Sequence, residues 1–231
     1  MTVDRRRLRT IANRLERAFG PLEPPRASDP LEELVWTVLS QHTSDLNSER
    51  AFHALRAAYP TWEEVVAARP ADLADVIRSG GLANTKAARI RAILREIAER
   101  EGAYDLASLR GRDDADARAY LTTLPGVGPK TAAVVMAFAL GRDAIPVDTH
   151  VHRVSRRLGL IPTKASAERA HDILAETVPD QLKTPLHVGL IRLGREICKA
   201  PLPRCADCPL ADLCPTAPSV LGFTPRRRSR R

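Results

Sequence analysis

The feature that most constrains the fold is an apolar pattern with helical spacing that runs through much of the chain. Apolar residues recur every three or four positions in five stretches, residues 8–19, 31–39, 87–97, 132–140 and 151–158. This spacing collects them on one face of an α-helix. The nearest candidate for a strand, residues 144–147, is short and contains Pro146. The sequence therefore predicts an all-α fold.

Two classes of protein are excluded by the same pattern. The longest apolar run, residues 132–140, is far shorter than the roughly 20 residues that a transmembrane helix needs. The basic residues Arg5, Arg6 and Arg7 are not followed by the apolar segment of a secretory signal. We expect no membrane association and a cytoplasmic location.

The charge is positive and concentrated at the two ends. The chain has 36 Lys and Arg against 28 Asp and Glu, a formal net charge of +8. Arg5, Arg6, Arg7 and Arg9 form one basic run, and arginines fill five of the last six positions, 226–231. A basic chain of this kind favours nucleic acid as a partner. The alternative is a basic tail that is merely solvated.

The expected domain organisation places a central helical domain at residues 29–143. A second domain combines residues 1–28 with residues 144–215, and the crossing lies in the segment 142–147, which contains Pro146. Residues 216–231 carry prolines and the arginine cluster, which predicts a mobile extension.

The cysteines predict a metal centre. Cys198, Cys205, Cys208 and Cys214 are the only cysteines and lie within seventeen residues. A cytoplasmic protein has little use for disulfides, whereas closely spaced thiolates bind soft metals. Zinc and an iron–sulfur cluster are both open on the residues alone.

A tight turn precedes the apolar run at 132–140. The string Leu-Pro-Gly-Val-Gly-Pro-Lys-Thr-Ala at residues 124–132 predicts two helices joined by a hairpin, at about residues 120–140. Backbone amides at Gly126, Val127 and Gly128, with the start of the next helix, can bind a phosphate without reading base sequence. The alternative is a plain interhelical turn.

Two residues near this turn are candidates for chemistry. The chain has five lysines among its 36 basic residues, and only lysine can lose its proton and act as a nucleophile, which singles out Lys130. Asp148 directly precedes a helical stretch, so it is a candidate helix N-cap as well as a candidate catalytic carboxylate. The chain between them is short enough for both to reach one cleft.

Taken together, these motifs resemble the endonuclease III family of the helix-hairpin-helix DNA glycosylase superfamily. The resemblance rests on the Lys130 hairpin, the Val-Asp-Thr-His segment at 147–150 and the C-x6-C-x2-C-x5-C loop, and it covers roughly residues 31–214. It implies two helical domains with a cleft between them and a C-terminal loop that binds a [4Fe-4S] cluster. His42, Ala83 and Pro129 depart from residues that are common in the family.

The resemblance also implies roles for individual residues. Lys130 matches the lysine that forms a Schiff base with C1′ of an extruded nucleotide, and Asp148 matches the carboxylate that assists departure of the base. The hairpin Gly126, Val127 and Gly128 matches a phosphate-binding backbone, and the four cysteines match the cluster ligands. Further matches to DNA-contact positions are Gln41, His42, Leu82, Lys199 and Arg204. Leu82 and His42 could instead be core or capping residues, and Lys199 and Arg204 simply solvated.

The resulting expectation is a bifunctional DNA glycosylase and AP lyase that acts on oxidised pyrimidines in double-stranded DNA, as a monomer located with the nucleoid. Within the superfamily, the alternative is a mismatch-specific thymine or uracil glycosylase. Outside it, the alternative is a noncatalytic DNA-binding iron–sulfur protein.

Overall fold

The structure is a computed structural model that describes residues 4–22 and 29–222, and these residues confirm the predicted all-α fold. They form helices and loops, with no strand. The α-helices are α1 (Arg5–Phe19), α2 (Pro30–Ser40), α3 (Asp45–Ala58), α4 (Trp62–Ala67), α5 (Pro70–Val76), α6 (Ala83–Glu101), α7 (Asp114–Thr123), α8 (Pro129–Val134), α9 (Thr149–Arg157), α10 (Ala167–Thr177), α11 (Asp180–Glu196) and α12 (Ala217–Val220). Short 3-10 turns lie at Arg78–Gly80, Ala107–Gly111, Cys205–Asp207 and Ala211–Leu213.

The helix ends follow from local side-chain chemistry. Asp29 caps α2 by accepting hydrogen bonds from the backbone N–H groups of Leu31 and Glu32, which no carbonyl within the helix can satisfy. Thr61 and Glu64 form a reciprocal capping box at the start of α4. These caps fix where each helix begins and therefore which residues fall in the turns between helices.

The chain divides into two compact units, and the first, Arg26–Arg142, is called the central unit here. Within it α2 packs against α3, α6 and α8, and α5 packs against α6. Its core is built from apolar side chains with no exposed surface, among them Leu34, Val38, Leu55, Ile90 and Leu94. Burial of this set supplies the hydrophobic free energy that holds the unit together.

The second, terminal unit combines the described parts of Met1–Pro25 with Asp143–Arg231. Helix α11 packs against both α1 and α9. Close approach is possible because α11 presents glycines at the two contacts: a Cβ at Gly189 would lie 2.9 Å from Leu15, and a Cβ at Gly194 would lie 2.9 Å from His150. The unit therefore joins the beginning of the chain to its second half.

Helix α1 also contacts the cysteine loop within the terminal unit. Arg7 donates hydrogen bonds to the carbonyl oxygens of Leu158 (2.5 Å) and Leu213 (3.1 Å). Arg14 lies 2.5 Å from the Asp212 carboxylate. Arg7 of the N-terminal basic run and Arg14 of the same helix thus bond to other segments of the terminal unit.

The stretch 132–140 is not one uniform α-helix. Helix α8 ends at Val134, and Val135–Ala139 form a π-helical turn in which the Leu140 N–H donates to the Val135 carbonyl at 3.0 Å. All five side chains of this turn are buried, whereas a regular amphipathic helix buries only one stripe. π-Helical turns occur frequently near functional sites.

Part of the predicted mobile extension is helical. Residues 217–220 form α12, in which Ala217 is buried, and the Thr216 hydroxyl donates to the Arg157 carbonyl at 2.8 Å. The C-terminal arginines at 226–231 lie outside the described residues. None of the described helices is long and apolar enough to cross a membrane.

The end of the central unit is held by Arg142, whose side chain is 13% exposed. Its guanidinium donates to the carbonyls of Leu109 (2.7 Å) and Arg112 (2.6 Å) and pairs with the Asp114 carboxylate. We predict that Arg142→Met lowers the free energy of unfolding by about 2–3 kcal/mol, because charged hydrogen bonds to partly buried carbonyls are lost.

Denaturant unfolding followed by tryptophan fluorescence measures this change, because both tryptophans, Trp36 and Trp62, lie in the central unit. Arg95→Met is the matched control, since Arg95 is exposed on α6. Equal stability of the two variants would contradict the assigned role of Arg142.

Candidate active site and cysteine centre

The predicted hairpin joins α7 to α8 in the central unit. The Val127 N–H donates to the Leu124 carbonyl at 3.1 Å, which closes the turn, and Gly126 has a φ of 70°. The Val127 side chain is buried, while Gly126 and Gly128 are exposed. The buried valine anchors a turn whose glycine backbone faces outward, which is the arrangement that a backbone contact to phosphate needs.

Lys130 is the second residue of α8, directly after Pro129 at the first helical position. Its side chain is partly exposed. The position lies in the first turn of the helix. The sequence motif thus places a lysine at a helix start beside the exposed hairpin backbone.

His42 and Leu82 share an unusual backbone conformation. They are the two non-glycine residues with positive φ among the described residues, at 55° for His42 and 48° for Leu82. Both side chains are exposed, and 60% of the Leu82 surface is accessible. Such strained positions cost free energy and are concentrated at functional sites. Both residues were predicted as DNA contacts from sequence, but their conformation was not foreseen.

Lys86 of α6 lies behind these two residues, and the sequence analysis missed it. The side chain is 2% exposed, and Nζ donates to the carbonyls of Leu39 (2.6 Å) and Gly80 (2.7 Å). Burial lowers the pKa of the Lys86 ammonium. A sequence signal existed, because Lys86 falls on the apolar face of α6 four positions before the buried Ile90.

Arg89, one turn further along α6, was also missed. Its Nη1 donates to the Gln41 side-chain oxygen at 2.7 Å. The same side chain packs on the hairpin, because a Cβ at Gly126 would lie 2.3 Å from Arg89 Nε. Since the Gln41 oxygen accepts from Arg89, the Gln41 amide group keeps its N–H donors for another partner. Arg89 thus connects two elements that were predicted separately as DNA contacts.

Asp148 belongs to the terminal unit and is the N-cap of α9. Its Oδ1 accepts a hydrogen bond from the Val151 N–H at 2.7 Å, and the side chain is partly exposed. The capping role predicted from sequence is therefore present. Lys130 lies in the central unit, so its pairing with Asp148 stays a prediction.

Two buried histidines hold the backbone just before Asp148. The Val147 N–H donates to His171 Nε2 at 3.2 Å, and His187 Nδ1 lies 2.8 Å from the Pro146 carbonyl. Each histidine is 5% exposed. The bond from Val147 requires His171 Nε2 to be an acceptor, so His171 is neutral in this geometry. Sequence reasoning missed both because each lies far along the chain from the segment it contacts.

The four cysteines lie together in the terminal unit. They line one cavity with neighbours that include Val154, Leu193 and Pro203. Burial raises the pKa of the Cys205 thiol and raises that of Cys208 to about 11. Thiolates in this cavity therefore need a positive charge nearby, and a bound metal supplies one.

Arg157 is a cation already present at this cavity. Its Nη1 donates to the Cys198 sulfur at 3.3 Å and to the Lys199 carbonyl at 2.8 Å. The Cys214 thiol donates to the Arg157 carbonyl at 3.2 Å. Among the described residues, no three His, Cys, Asp or Glu side chains converge as ligands of a single metal ion.

The basic residues of the cysteine loop differ in their contacts. Lys199 and Arg204 are both exposed. Arg204 donates to the Glu196 carbonyl at 2.9 Å and lies 3.6 Å from the Asp207 carboxylate, so part of its hydrogen-bonding capacity stabilises the loop. Lys199 lies at the loop surface beside Cys198.

Comparison with known proteins places these features in a family. The model of the HhH-GPD superfamily of base excision DNA repair proteins matches residues 35–180. Endonuclease III of Thermotoga maritima is 39% identical over 82% of this chain and 84% of its own length. Endonuclease III of Bacillus subtilis is 40% identical over 81% of each chain.

A solved structure agrees with the sequence comparison. A trapped covalent intermediate of endonuclease III with DNA, containing an estranged adenine, has a TM-score of 0.81 to this protein at 31% identity. The match covers 95% of this chain and 99% of the other. The chain therefore belongs to the endonuclease III family, within the HhH-GPD superfamily of base excision DNA repair proteins.

Proposed function

We propose that this protein is a bifunctional DNA glycosylase and AP lyase that removes oxidised pyrimidines from double-stranded DNA. The observation that carries the proposal is Lys130 at the start of α8, beside the exposed hairpin, in a family with a member captured as a covalent intermediate with DNA. We further propose that it acts as a monomer in the cytoplasm, with the nucleoid.

The reaction begins with extrusion of the damaged nucleotide, because a base stacked in a duplex cannot be reached by a nucleophile. Backbone amides at Gly126, Val127 and Gly128 hold a phosphate, and the exposed Lys199 and Arg204 add backbone contacts on the cysteine loop. Leu82 enters the stack, since an apolar side chain can replace lost base stacking. Gln41 and His42 occupy the space left by the extruded base.

Lys130 then acts as the nucleophile. As the bond between Nζ and C1′ forms, the bond between C1′ and the base breaks, and the base departs with the electron pair and gains a proton. Nζ loses a proton in this step and C1′ becomes an aminal; its C1′–O4′ bond then breaks as the nitrogen lone pair forms the imine C=N bond, and O4′ gains a proton. The imine acidifies the C2′ hydrogen, and removal of that hydrogen expels the 3′ phosphate by β-elimination. Water later hydrolyses the imine and restores the Lys130 amine. Covalent catalysis of this kind divides one difficult displacement into easier steps.

Asp148 supports the first of these steps. Its carboxylate stabilises the positive charge that develops on the sugar as the base leaves. Oδ1 is held by the Val151 N–H, and the buried histidines hold the preceding backbone, so the carboxylate has a defined orientation. The cap and the catalytic role are therefore compatible.

We propose that Cys198, Cys205, Cys208 and Cys214 hold a [4Fe-4S] cluster. Their position around one cavity supports a bound metal centre. The C-x6-C-x2-C-x5-C spacing, which resembles the cluster loop of the endonuclease III family, favours a cluster over zinc. When bound, the cluster holds the C-terminal loop in shape.

The proposed nucleophile predicts the result of borohydride trapping. The wild-type protein forms a covalent adduct with a duplex that contains thymine glycol and with a duplex that contains an abasic site. Lys130→Ala forms neither, because it has no amine at that position to make the imine. Lys164→Ala, which removes an exposed lysine, is the control and traps normally.

Other trapping results separate the alternatives. An adduct of Lys130→Ala in wild-type yield rejects Lys130 as the nucleophile. Trapping of wild type on the abasic duplex alone favours another substrate, including mismatched thymine or uracil. Tight binding to abasic DNA without any adduct or turnover favours the noncatalytic protein.

Asp148 offers a variant that separates catalysis from folding. Asp148→Asn keeps an N-cap, because asparagine caps helices as well as aspartate does. We expect base excision to fall by about a hundredfold, the scale of a lost catalytic carboxylate, while cleavage of ready-made abasic sites falls much less.

Single-turnover rates on the two substrates measure this split. Asp113→Asn, at the N-cap of α7, is the control and should leave both rates unchanged. Equal loss of excision and abasic cleavage in Asp148→Asn would contradict the proposed role.

The metal proposal predicts the composition of the purified protein. We expect about four iron atoms per chain and negligible zinc, and an absorbance in the visible range. Cys208→Ser should lower the iron content and raise the protease sensitivity of the cysteine loop. One zinc per chain without iron would reject the cluster.

A further inference from the structure

Lys86 lies between the two turns that carry the exposed positive-φ residues. Its first acceptor, Leu39, is in the last turn of α2, two residues before Gln41. Its second acceptor, Gly80, ends the 3-10 turn two residues before Leu82. One ammonium group therefore bonds to the backbone at the base of both turns.

The bases of the two turns also lie close together, beside Ala51 of α3. A Cβ at Gly80 would lie 3.2 Å from the Ala51 side chain and 3.7 Å from the Leu39 carbonyl oxygen. The carbonyls near the end of a helix have no partner within the helix, and a cation there complements the helix dipole. Lys86 donates to the Leu39 carbonyl while only 2% of the residue is exposed.

A lysine is a costly residue for this place if stability is its only role. Lys86 lies on the apolar face of α6 with Ala87, Ile90, Ile93 and Leu94. Burial of an ammonium loses its hydration, whereas an apolar side chain at the same position would extend the core. What the lysine adds is two directed bonds to two different turns.

We propose that Lys86 is a positioning residue for base extrusion, which fixes the turn of Gln41 and His42 and the turn of Leu82 at one spacing so that both enter the duplex together. The inference rests on the proposed function. His42 and Leu82 have backbone conformations that persist only when the surrounding structure over-determines them. Fixing both turns before DNA binds removes the ordering cost from the insertion step.

The test compares an abasic site in a duplex with the same abasic oligonucleotide as a single strand. Insertion displaces stacked bases only in the duplex, whereas imine formation at Lys130 is common to both. Lys86→Met keeps an unbranched apolar side chain, one heavy atom shorter than lysine, and removes the donors. Because both bonds are lost, we expect borohydride trapping on the duplex to slow by about tenfold or more, with the single-strand rate unchanged.

Two further variants separate positioning from general stability. Leu94→Ala removes a buried side chain of the same helix and should leave the ratio of duplex to single-strand rates at the wild-type value. Lys86→Gln restores a shorter donor, so its ratio should fall between those of wild type and Lys86→Met. It also keeps the proposal testable if the methionine variant does not fold.

A direct probe of insertion completes the experiment. A 2-aminopurine base opposite an abasic analogue becomes brighter when it is unstacked, and Leu82→Ala should lose this increase. Lys86→Met should lose it too, and the double variant should be no worse than Leu82→Ala. Additive losses in the double variant, or equal slowing of Lys86→Met on the duplex and the single strand, would overturn the role of Lys86 and leave the proposed function standing. Wild type that traps neither substrate would overturn the proposed function as well.

Discussion

The arrangement of the two exposed turns of the central unit, one with Gln41 and His42 and the other with Leu82, depends on one buried cation. The Lys86 ammonium, 2% exposed, joins the carbonyl oxygen of Leu39 to that of Gly80. If Lys86 were absent, the buried carbonyl groups of Leu39 and Gly80 would lose this donor. The loss costs free energy comparable to that of a lost hydrogen bond. Helix α6 thereby determines where Gln41, His42 and Leu82 are presented, although those residues lie on other segments.

Arg89 extends this dependence to the hairpin. It bonds to Gln41 and packs against Gly126, whose missing side chain makes room for the guanidinium. Two physical features therefore require glycine at position 126: its φ of 70° and the close approach of Arg89. Each of these exposed turns therefore contacts a side chain of α6.

The sequence predicted the helices and the motif-bearing turns because these depend on local signals. Apolar spacing, the Asp29 and Thr61 caps and the hairpin glycines all act within a few residues. The roles of Lys86, Arg89, His171 and His187 depend on contacts between distant segments, which periodicity does not encode. The π-helical turn at Val135–Ala139 was missed because its apolar run fits an α-helix equally well.

The order of the chain in the terminal unit has a consequence for synthesis on the ribosome. The central unit is one continuous segment, so all of its packing partners are available once Arg142 has emerged. Helix α1 is made first, yet it packs against α11 and bonds to Leu213 and Asp212, which are made near the end. Until then its apolar face, with Leu8, Ile11 and Leu15, lacks these partners. Domains fold as they emerge. The nascent protein therefore passes through a stage in which the central unit is complete, while α1 does not yet have its contacts with α11 and the cysteine loop.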